Sequence, residues 1–215
     1  MAIARRAGWR SGAASSHHVN DAHRPLYFLD APVHAPRWAR HSALARCERP
    51  DVVVIPDILT PGQVGRALEQ AEEVAPYARA LVFIPKMDGI IGRLPRQVGG
   101  KEVILGYSVP SRYGSTPLPA FFFRGWPVHL LGGTPLRQLA LACAGLQVRS
   151  ADGNMAQKIA RYGAVFLPTG SNAPYGRVYA PVESDLPYAA FACSLENIAS
   201  LWRSAGYRLQ AEDDE

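Results

Sequence analysis

Residues 126–163 read WPVHLLGGTPLRQLALACAGLQVRSADGNMAQKIARYG, and this stretch decides the fold. Residues 128–131 form a short apolar run that fits a buried strand. Gly132 and Gly133 end it. Thr134-Pro135 then opens a helix, with the threonine as cap and the proline at the first helical position. Leu136, Leu139, Ala140 and Cys143 recur at helical spacing until Gly145 stops the run. A second strand is expected over 146–148, a polar turn over 150–154, and another helix over about 155–162. In α/β proteins the turns at the carboxyl ends of strands hold the ligand. Gly132, Gly133, Ser150, Asp152 and Asn154 are therefore expected at one rim.

Working outward, the same grammar recurs. Residues 26–29 (LYFL) end at Asp30, residues 52–55 (VVVI) at Pro56-Asp57, residues 80–84 (ALVFI) at Pro85-Lys86, and residues 103–105 (VIL) at Gly106-Tyr107-Ser108. Fully apolar runs suit parallel strands covered on both faces. Helix-length segments lie between many of them: a basic helix over 38–47, and one opened by Thr60-Pro61 whose apolar face is Val64, Ala67, Leu68, Ala71 and Val74. Residues 165–167 give one more strand, 169–187 a long loop, and 194–206 a last helix capped by Ser194. Six or seven short strands alternating with helices mean α/β with a parallel sheet. With 215 residues against the ~250 typical of eight full units, a reduced or distorted TIM-type (β/α) barrel is expected.

Composition narrows the class. Hydrophobic residues are 48% and charged ones 19%, which excludes a disordered chain. No apolar run reaches the ~18 residues of a membrane span, and no secretory pattern opens the chain, so a cytoplasmic protein without a membrane partner is expected. Cys47, Cys143 and Cys193 form neither a disulfide framework nor a zinc pattern. No metal and no cofactor is expected. The net charge is +5, and lysine occurs only at positions 86, 101 and 158, so arginine carries the basic excess. That makes nucleic acid a plausible partner. Residues 1–24 lack periodicity and read as a disordered basic tail, 25–208 as one domain, and 209–215 as an acidic tail.

Three strand-end carboxylates, Asp30, Asp57 and Asp152, would converge on a barrel rim and could divide the roles of nucleophile and acid or base. Each taken alone is more often a turn residue, and it is the regular placement of all three after apolar strands that favours a site. Gly132-Gly133 before a helix could cradle a phosphate or simply make a tight turn. His129 lies within a strand, where a core role is the commoner one, and with Gly132, Gly133, Ser150 and Asn154 it is also a substrate-binding candidate. Tyr107 could stack on a base or pack in the core.

The order of these pieces resembles the tRNA-guanine transglycosylase superfamily, including its DNA-directed phage and bacterial relatives that handle 7-deazaguanine bases. His129-Leu130-Leu131-Gly132-Gly133-Thr134-Pro135 is similar to the family's strand, glycine turn and helix start. Val148-Arg149-Ser150-Ala151-Asp152 is similar to the strand that ends in the catalytic aspartate. Tyr27-Phe28-Leu29-Asp30, Ile55-Pro56-Asp57-Ile58, Phe83-Ile84-Pro85-Lys86 and Leu105-Gly106-Tyr107 fall in the family's order upstream. The resemblance spans about residues 26–163. It implies base exchange at an N-glycosidic bond, with Asp152 as the nucleophile on the sugar, Asp57 as the base reader and Asp30 as a second pocket carboxylate. It also implies substrate contacts at Lys86, Gly106 and Tyr107, and a free nucleobase and a nucleic acid as partners. The sequence departs at Ala31-Pro32-Val33, where the family has Ser-Gly-Gly, and at Lys86, where it has glutamine. It also lacks the cysteine-rich zinc segment and most tRNA-binding elements, so DNA is expected rather than tRNA. The readings from other classes are a non-catalytic nucleic-acid binder on the same scaffold and a small-molecule barrel enzyme using Gly132-Gly133 for phosphate.

Overall fold

The structure, a computed structural model, describes residues 9–16, 19, 24–31, 37–111, 115–169, 171–174 and 186–207. Much of the basic tail expected over 1–24, the acidic tail and much of the loop expected over 169–187 lie outside the described residues.

The strands are β1 Gly12–Ala14, β2 Phe28–Asp30, β3 Val52–Val54, β4 Ala80–Phe83, β5 Gln97–Val98, β6 Lys101–Ser108, β7 Pro127–Leu131, β8 Gln147–Ala151, β9 Ala164–Phe166 and β10 Asn172–Pro174. The helices are α1 Trp38–Glu48, α2 Val64–Val74, α3 Pro135–Cys143, α4 Met155–Ala160 and α5 Leu186–Ser204. Seven strands form one parallel series in the order β1-β2-β3-β4-β6-β7-β8, and β5 adds to β6 antiparallel. β9 and β10 form a separate antiparallel pair. The strand expected over 165–167 is therefore present but does not extend the parallel sheet.

The sheet curls. Four inter-strand steps separate β2 from β7, which in a flat sheet would hold them ~19 Å apart. Yet the rings of Phe28 on β2 and His129 on β7 stack with centroids 4.6 Å apart. The result is a half-barrel whose concave face carries those two rings. Residue alternation sorts the core by face. Phe28, Val52, Val54, Val82, Ile84 and Ile104 make one apolar cluster. Their neighbours Leu29, Val53, Leu81, Phe83, Val103 and Leu105 belong to the larger cluster that packs the helices. α2 buries Val64, Ala67, Ala71 and Val74, the face its spacing predicts.

Two differences from the sequence reading have physical causes. Residues 12–14 lack an apolar pattern, but as an edge strand β1 needs only backbone hydrogen bonds to β2, such as the Ser15 amide to the Asp30 carbonyl at 2.9 Å. Ser194 is not a cap. α5 begins eight residues earlier, at Leu186. The Ser194 hydroxyl donates to the Ala190 carbonyl at 2.7 Å, within its own helix, and accepts the Phe166 amide at 3.0 Å. A serine that satisfies itself against its own helix carries the same local signature as a cap.

Candidate active site

Parallel pairing brings all the strand carboxyl ends to one edge. β2 delivers Asp30 directly. Beyond β3 and β4 the chain stays paired: the Ile58 amide donates to the Ile84 carbonyl at 3.0 Å, and the Lys86 amide to the Ile58 carbonyl at 2.9 Å. Those bonds fix the turns carrying Asp57 and Lys86 side by side. The Lys86 ammonium lies 3.4 Å from an Asp57 carboxylate oxygen and donates to the Ser108 hydroxyl at 2.7 Å.

Asp152 is held differently. Its carboxylate accepts the Gly132 amide at 2.5 Å, and its own amide donates to the Leu130 carbonyl at 3.0 Å. Gln138, reaching back from α3, donates to the carbonyls of Gly132 at 2.7 Å and Asp152 at 2.6 Å. One side chain thus ties the turns after β7 and β8 together. Gly132 and Gly133 have φ of 62° and 79°, the left-handed region that favours glycine. At Gly133 a Cβ would also meet Val109 at 2.5 Å. The Gly132 amide is therefore engaged by a carboxylate of the same chain, where the phosphate reading needs it open.

The three carboxylates share one electrostatic neighbourhood. Asp30 is pushed up to about 7, first by burial, then by the charges of Asp152 and Asp57. Burial also raises Asp57, opposed by Lys86, and raises Asp152, opposed by the Gly132 amide and its own. A group that titrates near neutrality beside ionised neighbours is the arrangement acid and base chemistry needs. Among the described residues no three His, Cys, Asp or Glu side chains are grouped as a metal site needs.

The remaining sequence-predicted residues divide. His129 is buried and accepts or donates one bond, Nδ1 to the Ser150 hydroxyl at 2.7 Å. Burial holds its imidazole down at about 3, so it is neutral, and its Nε2 has no partner among the described residues. A bulge creates this pair: Val128 faces Val148, but His129 faces Ser150, with Arg149 as the extra residue. Without the bulge, alternation would turn Ser150 to the helix side with Val148. Gly106 lies on the concave face, where a Cβ would meet Ile84 at 2.7 Å, so apolar side chains fill the room above it. Tyr107 is a correction. Strand alternation sends it to the opposite face from Gly106 and Ser108, where it packs edge-on against Phe123 with centroids 5.0 Å apart. Asn154 is exposed at the start of α4 and makes no side-chain capping bond. Sequence reading passed over Gln138, although a glutamine on the buried side of an amphipathic helix was a visible signal.

The fold and this rim define a class: an α/β protein with a curled parallel sheet and a carboxylate cluster at the carboxyl ends of its strands. A family model described as a family of unknown function (DUF6610) matches residues 4–203, and the chain belongs to that family. No curated protein and no solved structure matches it. No helix among the described residues is long and apolar enough to cross a membrane.

Proposed function

We propose that the chain is a reduced TIM-type barrel enzyme that exchanges or cleaves a nucleobase at the N-glycosidic bond, in DNA rather than tRNA. The observation that carries the reading is the gathering of Asp30, Asp57 and Asp152, with Lys86, from separate strand ends at one rim. Asp152 is the nucleophile. The Gly132 amide orients one of its oxygens, and the other attacks the anomeric carbon C1′. The bond from C1′ to the base nitrogen breaks, and its electron pair leaves with the base. Asp30, poised near neutrality, protonates that nitrogen. The sugar is then held as an ester of Asp152. An incoming base attacks C1′, gives its proton to Asp30 and returns Asp152 as a carboxylate. Asp57, with Lys86 beside it, presents one donor and one acceptor to a purine-type edge. The arginine-rich surface holds the phosphates, and the target base leaves the stack to reach the rim. The three unpaired cysteines suit a cytoplasmic setting.

The test is trapping. The protein is mixed with DNA and a 7-deazaguanine base, and a covalent protein–DNA adduct is sought by denaturing electrophoresis and mass spectrometry. Asp152→Asn should abolish the adduct and lower exchange by roughly 10⁴-fold or more. No exchange with any base on DNA or RNA overturns the reading. Salt-sensitive DNA binding that survives Asp152→Asn, with no turnover, replaces it with a non-catalytic binder.

A further inference from the structure

The turns that carry Asp57 and Lys86 also carry two exposed apolar side chains. Leu59 is 53% exposed and Met87 is 46% exposed. Ile58 and Pro85 are buried and pair in parallel register, so Leu59 and Met87 follow two residues that the fold holds side by side. The backbone beneath Leu59 is fixed. The Leu59 and Thr60 amides both donate to Gln63 Oε1, at 2.7 and 3.1 Å. The Ile58 amide and carbonyl are held by Ile84 and Lys86. Ile58 takes the core position at 1% exposed, and the adjacent Leu59 projects into solvent from a rigid turn.

Just outside the rim, in the first turn of α3, Leu136 is exposed as well. Beside it the exposed Arg137 is ordered by one bond from its guanidinium to the Pro110 carbonyl at 2.7 Å. Isolated exposed apolar residues are ordinary. What sets these apart is place, because they flank the turn of Asp57 and the glycine turn that engages Asp152. Among the described residues the other large exposed apolar side chains, Phe121, Tyr162 and Tyr188, lie away from these turns.

We propose that Leu59, with Met87 beside it, is a wedge that enters a DNA duplex and fills the place of the base drawn out to the rim. The inference rests on the reading of the rim as a site for a base of DNA. A base that leaves the stack leaves a gap, and leucine and methionine are among the side chains that proteins insert between base steps. The fixed backbone lets Leu59 hold the gap open, and the unbranched Met87 adapts to its shape. Asp57 sits two residues before Leu59, so one turn carries both the reader of the base and the filler of the gap. Arg137 and the net charge of +5 match a polyanion, and they disfavour a second copy of this basic chain as the occupant.

The wedge can be read without glycosyl transfer, by 2-aminopurine placed next to guanine in a short duplex with no free base added. The wild-type chain should raise its fluorescence as the stack opens. Leu59→Ala should lose most of that rise and bind the duplex roughly tenfold more weakly. It should bind the same single strand within about twofold of wild type, because no stack has to be opened there. Single-strand binding also shows that the variant is folded. Leu59→Met should restore the rise, and Met87→Ala should give a smaller loss in the same direction. Tyr162→Ala, which removes an exposed ring away from these turns, should change neither form. The proposal is overturned if the wild-type chain binds no duplex or binds it without a rise, or if Leu59→Ala weakens both forms alike or neither. It is also overturned if sedimentation shows copies of the chain joined through Leu59, with Leu59→Ala releasing monomers. A rise that Leu59→Ala abolishes, with no base exchange, leaves the wedge standing and the transglycosylase reading fallen. Exchange on duplex that Leu59→Ala leaves unchanged does the reverse.

Discussion

Two turns flank the rim, and they hold their carboxylates by different means. After β3 and β4, Asp57 faces an ammonium, Lys86, itself anchored to Ser108. After β7 and β8, Asp152 faces a backbone amide, and a glutamine pins the surrounding carbonyls. A cation neutralises charge and lets the carboxylate serve as a fixed recognition group. An amide orients a carboxylate without giving it a full counter-charge, which leaves it more reactive. Asp30 sits between the two regimes with only the Ala31 amide in its favour, and burial with the charges of Asp152 and Asp57 pushes it up to about 7. The difference assigns recognition to the first turn, attack to the second and proton traffic to the residue between them.

The largest effect that sharpens this comparison belongs to Asp30. The folded chain keeps the Asp30 proton up to about pH 7, whereas the unfolded chain releases it near pH ~4. Between those values the native state binds more protons, so this group makes stability fall as pH rises. Below pH ~4 the penalty is absent, and above about 7 it is complete, at up to about 4 kcal/mol. Asp30→Asn removes the titration. Urea unfolding across a pH series should show no gain for the variant at low pH and a gain growing to its full value near neutrality. A gain of equal size at every pH would mean that Asp30 is not displaced by burial and its two neighbours.

Next in size is the glycine turn. Gly132 and Gly133 share the left-handed conformation, where a side chain costs ~1–2 kcal/mol. They differ in space, because nothing lies within 4 Å of a Cβ built on Gly132, while one on Gly133 collides with Val109. Gly132→Ala should therefore cost about 1 kcal/mol and Gly133→Ala about 3 kcal/mol by chemical denaturation. Equal costs would show that Val109 yields and that this turn is no stiffer than its counterpart after β3.

Much of this was legible in residue patterns, and the exceptions are instructive. Apolar runs broken by Asp, Lys or Gly marked β2, β3, β4, β6 and β7, because strands buried on both faces carry little that is polar until they emerge at an edge, the buried His129 of β7 being an exception. The Thr134-Pro135 signature placed the start of α3, where Thr134 Oγ1 accepts the Arg137 amide at 3.4 Å. What alternation cannot supply is phase across a bulge, so the His129–Ser150 pair was hidden until Arg149 was seen as the extra residue. Nor can a short strand announce which face is inside: Gly106 and Tyr107 are adjacent in sequence and lie on opposite sides of the sheet. β1 was invisible because backbone pairing alone leaves no side-chain pattern.

The smallest effect tests the link that makes the second turn what it is. Gln138→Leu keeps roughly the volume of the side chain and deletes both donations to the Gly132 and Asp152 carbonyls. Two neutral bonds at a half-buried site should cost about 2 kcal/mol in urea unfolding. The loss should also be local. Gly132 donates to Asp152, so loosening the Asp152 turn should speed hydrogen exchange at the Gly132 amide. The Lys86 amide, bonded to Ile58 across the first turn, should keep its wild-type rate. If both amides quicken together, the two turns open as one unit, and the division of labour between them has no separate mechanical basis. If Gly132 alone quickens, Gln138 is the residue that gives the Asp152 turn its independent rigidity, supplied from a helix that carries no other part of the rim.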